Sequence, residues 1–245
     1  MTVQDKLFTL GTALAFALIL AACPAGPAPE KYKGLGEKLN LSGKVYERNR
    51  TLVSIDYTGY NGDLAISDGG IGGTGKIENG WLSYSITEQP ALSPAANGLE
   101  MLEEIYTNIG FSPNDAQAAV LNLQITDHPD YSLLSREIIE IEYASPVRLN
   151  GEFVYYVYVD RDVTVTADSG DFSFDGFGFP IDITAKSINF TLKKGWNPLR
   201  GKIEGELQLI GFPPAVGGAT AALSMSAGNP SSLKWTASST QFLQF

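Results

Sequence analysis

Apolar and polar residues alternate with a period of two along most of the chain after Leu39. Successive side chains of an extended strand point to opposite faces, so this alternation predicts strands with one buried face. Gly, Asn, Asp and Pro interrupt the runs at short intervals, which is typical of an all-β sandwich or of barrel-like antiparallel sheets. The predicted strands are Leu39–Arg48, Thr51–Tyr57, Asp63–Ser67, Trp81–Thr87, Ala119–Thr126, Glu137–Tyr143, Glu152–Thr166, Gly170–Phe174, Phe177–Ile183, Lys186–Lys194, Lys202–Ile210, Thr220–Ala227 and Leu233–Ser238.

One region has helical spacing instead. Asn97 is suited to cap a helix, and apolar residues follow it at intervals of three and four until Gly110. Ser112 and Pro113 are suited to begin a second short turn. We therefore expect a small helical insertion around residues 97–118, which closes one end of the sheet.

The composition excludes several classes of function. Of the 245 residues, 27 are acidic and 17 are basic, so the formal net charge is −10. Nucleic-acid binding needs clustered Lys and Arg, and we expect no nucleic-acid partner. The single Cys excludes an internal disulfide and a cysteine-cluster zinc site, and the single His excludes a two-histidine site. We expect no cofactor and no metal.

The N-terminal segment has the features of an export signal. Leu7–Ala22 is apolar and uncharged, and it is shorter than the roughly 20 residues that span a bilayer. It ends in Leu20-Ala21-Ala22-Cys23, which resembles the lipobox of bacterial lipoproteins. The resemblance implies that Cys23 carries a diacylglycerol and an N-acyl chain, and that the protein is anchored in the cell envelope. Pro24 stands where the family has Asp for inner-membrane retention, so the outer membrane is favoured in a cell with two membranes.

The chain divides into three parts on this interpretation. Residues 1–22 are the lipoprotein signal peptide, residues 23–38 are a Pro-rich tether, and residues 39–245 are the β-rich domain. The alternative is two β-domains that divide near residues 146–151. Residues 158–165 and 187–197 are similar to segments of uncharacterised β-rich exported lipoproteins, a resemblance that implies no specific activity.

A phenylalanine-rich segment is the candidate contact surface. Asp175-Gly176 lies between alternating apolar residues, which predicts a two-residue hairpin turn. In that register Phe174 faces Phe177 and Phe172 faces Phe179, so all four rings lie on one face of the ribbon. The face is expected to pack on the domain's own core or to contact a ligand, lipid or partner.

Three further patterns resemble those of catalytic or ligand-binding sites. The sequence from Gly70 to Lys76 matches the GxxxxGK pattern of phosphate-binding loops, but Ile77 replaces the Ser or Thr that such loops need, and a strand follows instead of a helix. His128 is expected in a polar turn, because no GxSxG motif accompanies it. A run of five aspartates is expected in solvated turns rather than in a calcium site: Asp160, Asp162, Asp168, Asp171 and Asp175.

None of these patterns supplies a complete set of catalytic residues. We therefore expect a membrane-anchored envelope lipoprotein whose β-domain binds a small ligand or an envelope protein without catalysis. Two alternatives stay open. One is an exported glycan hydrolase, which would require two carboxylates roughly 5–9 Å apart in a cleft. The other is a structural scaffold of the envelope.

Overall fold

Strands make up most of the chain that the computed structural model describes, namely residues 32–50, 55–103, 105–143, 146–176, 179–211, 215–228 and 232–238. The strands are β1 (Leu39–Arg50), β2 (Ile55–Gly59), β3 (Leu64–Ser67), β4 (Thr74–Glu78), β5 (Trp81–Ile86), β6 (Ser93–Pro94), β7 (Thr107–Ser112), β8 (Gln117–Leu121), β9 (Leu123–Ile125), β10 (Leu133–Glu142), β11 (Arg148–Val159), β12 (Val163–Asp168), β13 (Gly170–Gly176), β14 (Phe179–Ala185), β15 (Ile188–Leu192), β16 (Gly195–Ile210), β17 (Ala215–Ala227) and β18 (Lys234–Ser238). The all-β prediction is confirmed, and the fold is sandwich-like.

The helical insertion is present but shorter than predicted. Helix α1 (Ala95–Gly98) and a single 3-10 turn (Glu100–Leu102) precede the strands β7 and β8, which occupy most of the remaining expected range 97–118. The apolar residues of the insertion are buried as expected. The φ of Asn108 is 52°, which lies outside the helical region, so the helix does not continue through this residue. Within the described residues, no helix is long and apolar enough to cross a membrane.

Fifteen strands form one large mixed sheet, and β7, β12 and β15 form a separate three-stranded sheet. Part of the large sheet closes on itself, because the pairings run from β10 through β18, β1, β5, β4, β3 and β9 back to β10. The other part is open and ends at β13, in the order β10, β11, β16, β17, β14, β13. We call these two parts the ring and the open sheet.

Each part of the sheet covers its own hydrophobic core. The ring encloses one cluster that includes Leu41, Leu82 and Trp235. The open sheet packs against the three-stranded sheet over a second cluster, which includes Val165 and Leu223. Both clusters belong to the same compact unit, which comprises Tyr32–Phe245.

Strand β11 connects the two cores. Its alternating residues Val154, Tyr156 and Tyr158 belong to the core of the ring, whereas Val157 and Val159 belong to the core under the open sheet. A strand that is buried on both faces is apolar throughout, as the sequence of this segment predicts. Its position between β10 and β16 explains that composition.

Several predicted boundaries are wrong in detail. The range Glu152–Thr166 is two strands, because β11 ends at Val159 and β12 begins at Val163. Strands β4 and β7 are additional to the predicted ones, since Thr74–Glu78 carries little apolar alternation and Thr107–Ser112 lies in the range expected for the helical insertion. The predicted signal peptide, Cys23 and the first part of the tether lie outside the described residues.

Candidate functional site

The phenylalanine-rich hairpin is formed by β13 and β14, but its register differs from the prediction. Phe172 pairs with Ile183 and Phe174 pairs with Ile181, so Asp175-Gly176 belongs to β13 instead of forming the turn. Ile181 and Ile183 are 1% and 2% exposed. Burial of these two isoleucines in the core under the open sheet determines which residues of β14 lie opposite the phenylalanines.

Of the four predicted contact residues, only Phe172 has a described side chain. It is half-buried and packs against the core under the open sheet. Phe174 and Phe179 are described by backbone pairing alone, and Phe177 lies outside the described residues. A role of these three rings in partner contact stays a prediction.

The opposite face of the hairpin is polar and exposed. Asp171, Ser173, Asp182 and Thr184 all point away from the core, since they alternate with the buried residues of both strands. Together with flanking atoms of Phe172 and Ile183 they line an open trough of about 560 Å³. We call this the β13 trough.

Two carboxylates dominate the β13 trough. Ser173 lies directly opposite Asp182 and donates a hydrogen bond of 2.6 Å to its Oδ1 atom. Asp171 is the diagonal cross-strand neighbour of Asp182, a relation that separates two residues by about 7–8 Å. The trough is therefore acidic, and it lies open to solvent.

The acidic character extends across the outer face of the open sheet. Register places Asp182 beside Thr220 of β17, and Thr220 beside Glu206 of β16. Glu204 shares this face and accepts a hydrogen bond of 2.6 Å from Lys202, which lowers the pKa of the Glu204 carboxyl. Carboxylates outnumber cations in this part of the face, which favours a basic partner.

Strand β13 also provides a free edge. It is the last strand of the open sheet, and no described strand pairs with its outer side. Every second residue of an edge strand turns its N–H and C=O groups outward, where a further strand can bind them.

A second, smaller cavity lies where β8, β9, β10 and β11 exchange partners. The residues that lie between one strand pairing and the next at this junction are Ser135, Tyr155 and Asn122. The cavity has a volume of about 60 Å³, and its lining also includes Arg136 and Trp235. It is large enough for a few water molecules, whereas ligand pockets have volumes of roughly 300–1,000 Å³.

The charges near this cavity are engaged within the protein. The Nη1 atom of Arg136 donates a hydrogen bond of 2.6 Å to the Tyr156 hydroxyl, and its guanidinium lies 5.8 Å from the centre of the Trp235 ring. Glu137 is only 1% exposed and forms an ion pair with Arg48 of β1. Burial raises the pKa of Glu137, and the charge of Arg48 opposes that shift. The arrangement is that of a structural contact between strands.

Strand β2 completes this buried cluster. The N–H group of Ile139 donates a hydrogen bond of 2.8 Å to the hydroxyl oxygen of Tyr57. Burial raises the pKa of Tyr57, and the charge of Glu137 adds to that shift. The Lys234 ammonium lies 4.6 Å from the centre of the Tyr57 ring, which is within the range of a cation–π contact.

The glycine-rich loop binds a carboxylate of this same chain. The N–H groups of Gly70 and Gly73 donate to Asp68 at 3.0 Å and 2.6 Å, and the Tyr84 hydroxyl donates to it at 2.8 Å. Burial raises the pKa of Asp68, but these hydrogen bonds outweigh burial and the net effect is to lower it. The loop connects β3 and β4, so the expectation of a hairpin in place of a phosphate-binding loop is confirmed.

His128 lies in a turn, as expected. Its Nδ1 atom accepts a hydrogen bond of 3.2 Å from the N–H of Asp130, and its ring stacks on Tyr131 with 4.4 Å between centres. The neighbouring Asp127 accepts a hydrogen bond of 2.9 Å from the backbone N–H of Ala65. Asp127 thus holds the backbone of Ala65, and the imidazole is held by a backbone N–H group rather than by a carboxylate.

The run of aspartates does not converge on one point. Asp160 binds Arg161, Asp162 binds Lys193, and Asp168 accepts a hydrogen bond of 2.8 Å from Asn108. Among the residues that the structure describes, no group of three or more His, Cys, Asp or Glu side chains could hold a metal ion. Of this run, Asp171 is the member that lines the β13 trough.

Sequence reasoning missed the roles of Ser173 and Asp182. The signal for them was the alternation of polar residues with Phe172 and Ile183, which assigns them to one face once the register is known.

Comparison with known proteins gives no match for this chain among family models, curated proteins or solved structures.

Proposed function

We propose that this protein is a membrane-anchored envelope lipoprotein whose β-domain binds an envelope partner without catalysis. The anchor is the lipid on Cys23, within the motif Leu20-Ala21-Ala22-Cys23. Several acyl chains hold a protein stably at a membrane, whereas a single chain binds only reversibly. Pro24 favours the outer membrane in a cell that has two membranes.

The observation that carries the binding role is the acidic β13 trough beside an open strand edge. The trough also lies far from the start of the domain. The chain enters the domain beside Trp196, whose backbone oxygen accepts a hydrogen bond of 2.8 Å from Leu35. The eleven residues of β16 from Trp196 to Glu206 span roughly 33 Å. A tether that ends near Trp196 leaves the trough accessible to a partner.

One observation favours the alternative of a glycan hydrolase. Asp171 and Asp182 are diagonal neighbours whose backbone positions lie about 7–8 Å apart on the same face, which brings two carboxylates together as a glycosidase requires. Both side chains are exposed, however, and a general acid requires an apolar enclosure.

The open edge of β13 in turn fits the alternative of a structural scaffold.

The anchor is tested with the substitution Cys23→Ser in the native host. Wild-type protein is expected to incorporate labelled palmitate and to pellet with membranes in high salt, whereas the variant is expected to be released. Glu88→Gln, a change at an exposed residue, is the matched control and should leave the protein in the membrane fraction. A Cys23→Ser variant that still pellets in high salt would show the anchor assignment to be wrong.

The absence of catalysis is tested on isolated cell-wall glycan. No release of reducing ends is expected from wild-type protein. Release that disappears in Asp182→Asn would establish the hydrolase instead.

A further inference from the structure

We propose that the edge of β13 binds an extended polypeptide segment of the partner, with Lys or Arg at every second position, as an additional strand of the open sheet. This inference rests on the proposed binding function and names the surface and the kind of partner. Three features lie together at this edge: a strand whose outer side no described strand pairs, an open trough of about 560 Å³, and two exposed carboxylates.

The backbone provides the affinity of such a complex. A strand that is added to a sheet edge forms main-chain hydrogen bonds with the outward N–H and C=O groups, whatever its sequence. Strand β13 offers these groups along its length, from Gly170 to Gly176.

The side chains provide the specificity. On the outer face, residues of the added strand would lie beside Asp171 and Ser173, and within reach of Asp182. Lys or Arg at these positions gains favourable charge interactions, whereas Asp or Glu is repelled. On the inner face, the alternate residues would meet the half-buried ring of Phe172, which favours apolar side chains. The partner segment thus alternates basic and apolar residues.

The same charges disfavour pairing between two copies of this chain. A pairing of two β13 strands would bring Asp171 of each copy, with Asp182 beside it, to the same edge. Like charges directly opposite each other destabilise a pair of strands. The carboxylates therefore protect the edge from self-association and leave it available for a basic strand.

The test uses the full chain in detergent and a fluorescent ten-residue peptide in which Lys and Val alternate. We expect saturable binding by fluorescence anisotropy, which weakens as salt is raised. Two peptide controls separate the contributions: one has Glu in place of every Lys, and one is N-methylated at every second residue. Both are expected to bind at least about tenfold more weakly, because one reverses the charges and the other removes backbone donors.

Variants of the protein locate the site. Asp171→Asn combined with Asp182→Asn is expected to weaken binding by about 2- to 30-fold, the range for two exposed ion pairs. Glu140→Gln is the matched control. It removes an exposed carboxylate from the same face on β10, roughly 24 Å away across five strand spacings, and should leave binding unchanged.

Three results would overturn the inference: no binding of the Lys–Val peptide, equal binding of the N-methylated peptide, or a dimer of the wild-type chain that competes with the Lys–Val peptide. The last result would make a second copy the occupant of the edge. Each of these can occur while Cys23→Ser still releases the protein from membranes, so a failure here is distinguishable from a failure of the anchor.

Discussion

The β1–β2 hairpin and the β13–β14 hairpin both carry charged side chains on the large sheet. These charges are buried in the first hairpin and exposed in the second. In the first, Arg48 forms an ion pair with Glu137, which is 1% exposed, and Tyr57 bonds to the backbone of β10. In the second, Asp171 and Asp182 are exposed on the outer face beside an open edge.

The difference follows from where each hairpin lies. The β1–β2 hairpin lies at the ring, where β1 pairs in parallel with β18, and its charges specify the contact with β10. A buried charge without a partner is strongly unfavourable, so such a pair requires one geometry. The β13–β14 hairpin ends the open sheet, and its charges stay hydrated. The buried charges thus hold strands together, whereas the exposed charges at the edge are the ones for which we propose recognition of a partner.

The largest expected effect comes from breaking the buried pair. Arg48→Ala leaves Glu137 buried without its cation and should lower the free energy of unfolding by about 3–5 kcal/mol in urea denaturation. Burial already raises the pKa of Glu137, and the loss of Arg48 raises it further. The native state then binds a proton that the unfolded state has released. The stability of the variant is therefore expected to fall as the pH rises above about 4.3, the pKa of an unfolded glutamate.

An exposed ion pair is the matched control for this variant. Lys76 and Glu78 form such a pair with side chains that are 63% and 56% exposed, and Lys76→Ala is expected to cost less than about 1 kcal/mol. A loss below about 1 kcal/mol in Arg48→Ala as well would remove the distinction between the two hairpins.

A smaller effect is expected at the glycine-rich loop of the ring. Asp68→Asn replaces an acceptor of three hydrogen bonds with a group that cannot accept all of them, at a cost of about 1–3 kcal/mol. Because the pKa of Asp68 is lowered in the folded state, its stabilisation is present above the unfolded pKa of about 3.9. The difference between wild type and variant should therefore shrink as the pH falls below that value.

Asp127→Asn provides the comparison for this loop. Asp127 is exposed and accepts a hydrogen bond of 2.9 Å from the N–H of Ala65, so its substitution should cost less than that of Asp68. Equal losses in thermal or urea unfolding would mean that the loop does not depend on its internal carboxylate.

Local signals in the sequence predicted the fold class, but two similar dipeptides had different outcomes. Asn79-Gly80 forms the turn between β4 and β5, with φ angles of 49° and 70° that suit these residues. Asp175-Gly176 carries the same kind of signal and yet lies within β13. The register differs from the prediction because the burial of Ile181 and Ile183 in the core outweighs the turn preference of one dipeptide.

Closure of the ring had no local signal at all. It requires the parallel pairing of Val45 with Trp235, which lie far apart in the sequence. The β13 trough was hidden for a related reason. Asp171 was visible as one of five aspartates, but its relation to Asp182 depends on a register that only the packing of the open sheet determines.

The smallest expected effect on stability is at the β13 trough itself. Asp171→Asn with Asp182→Asn alters exposed side chains and should change the free energy of unfolding by no more than about 0.5 kcal/mol. Ser173→Ala, which removes the hydrogen bond to Asp182, is the companion variant and should behave alike. Urea denaturation at neutral pH measures both. A loss above about 1 kcal/mol would mean that these carboxylates hold the hairpin together, and the contrast with the buried pair of Arg48 and Glu137 would fail.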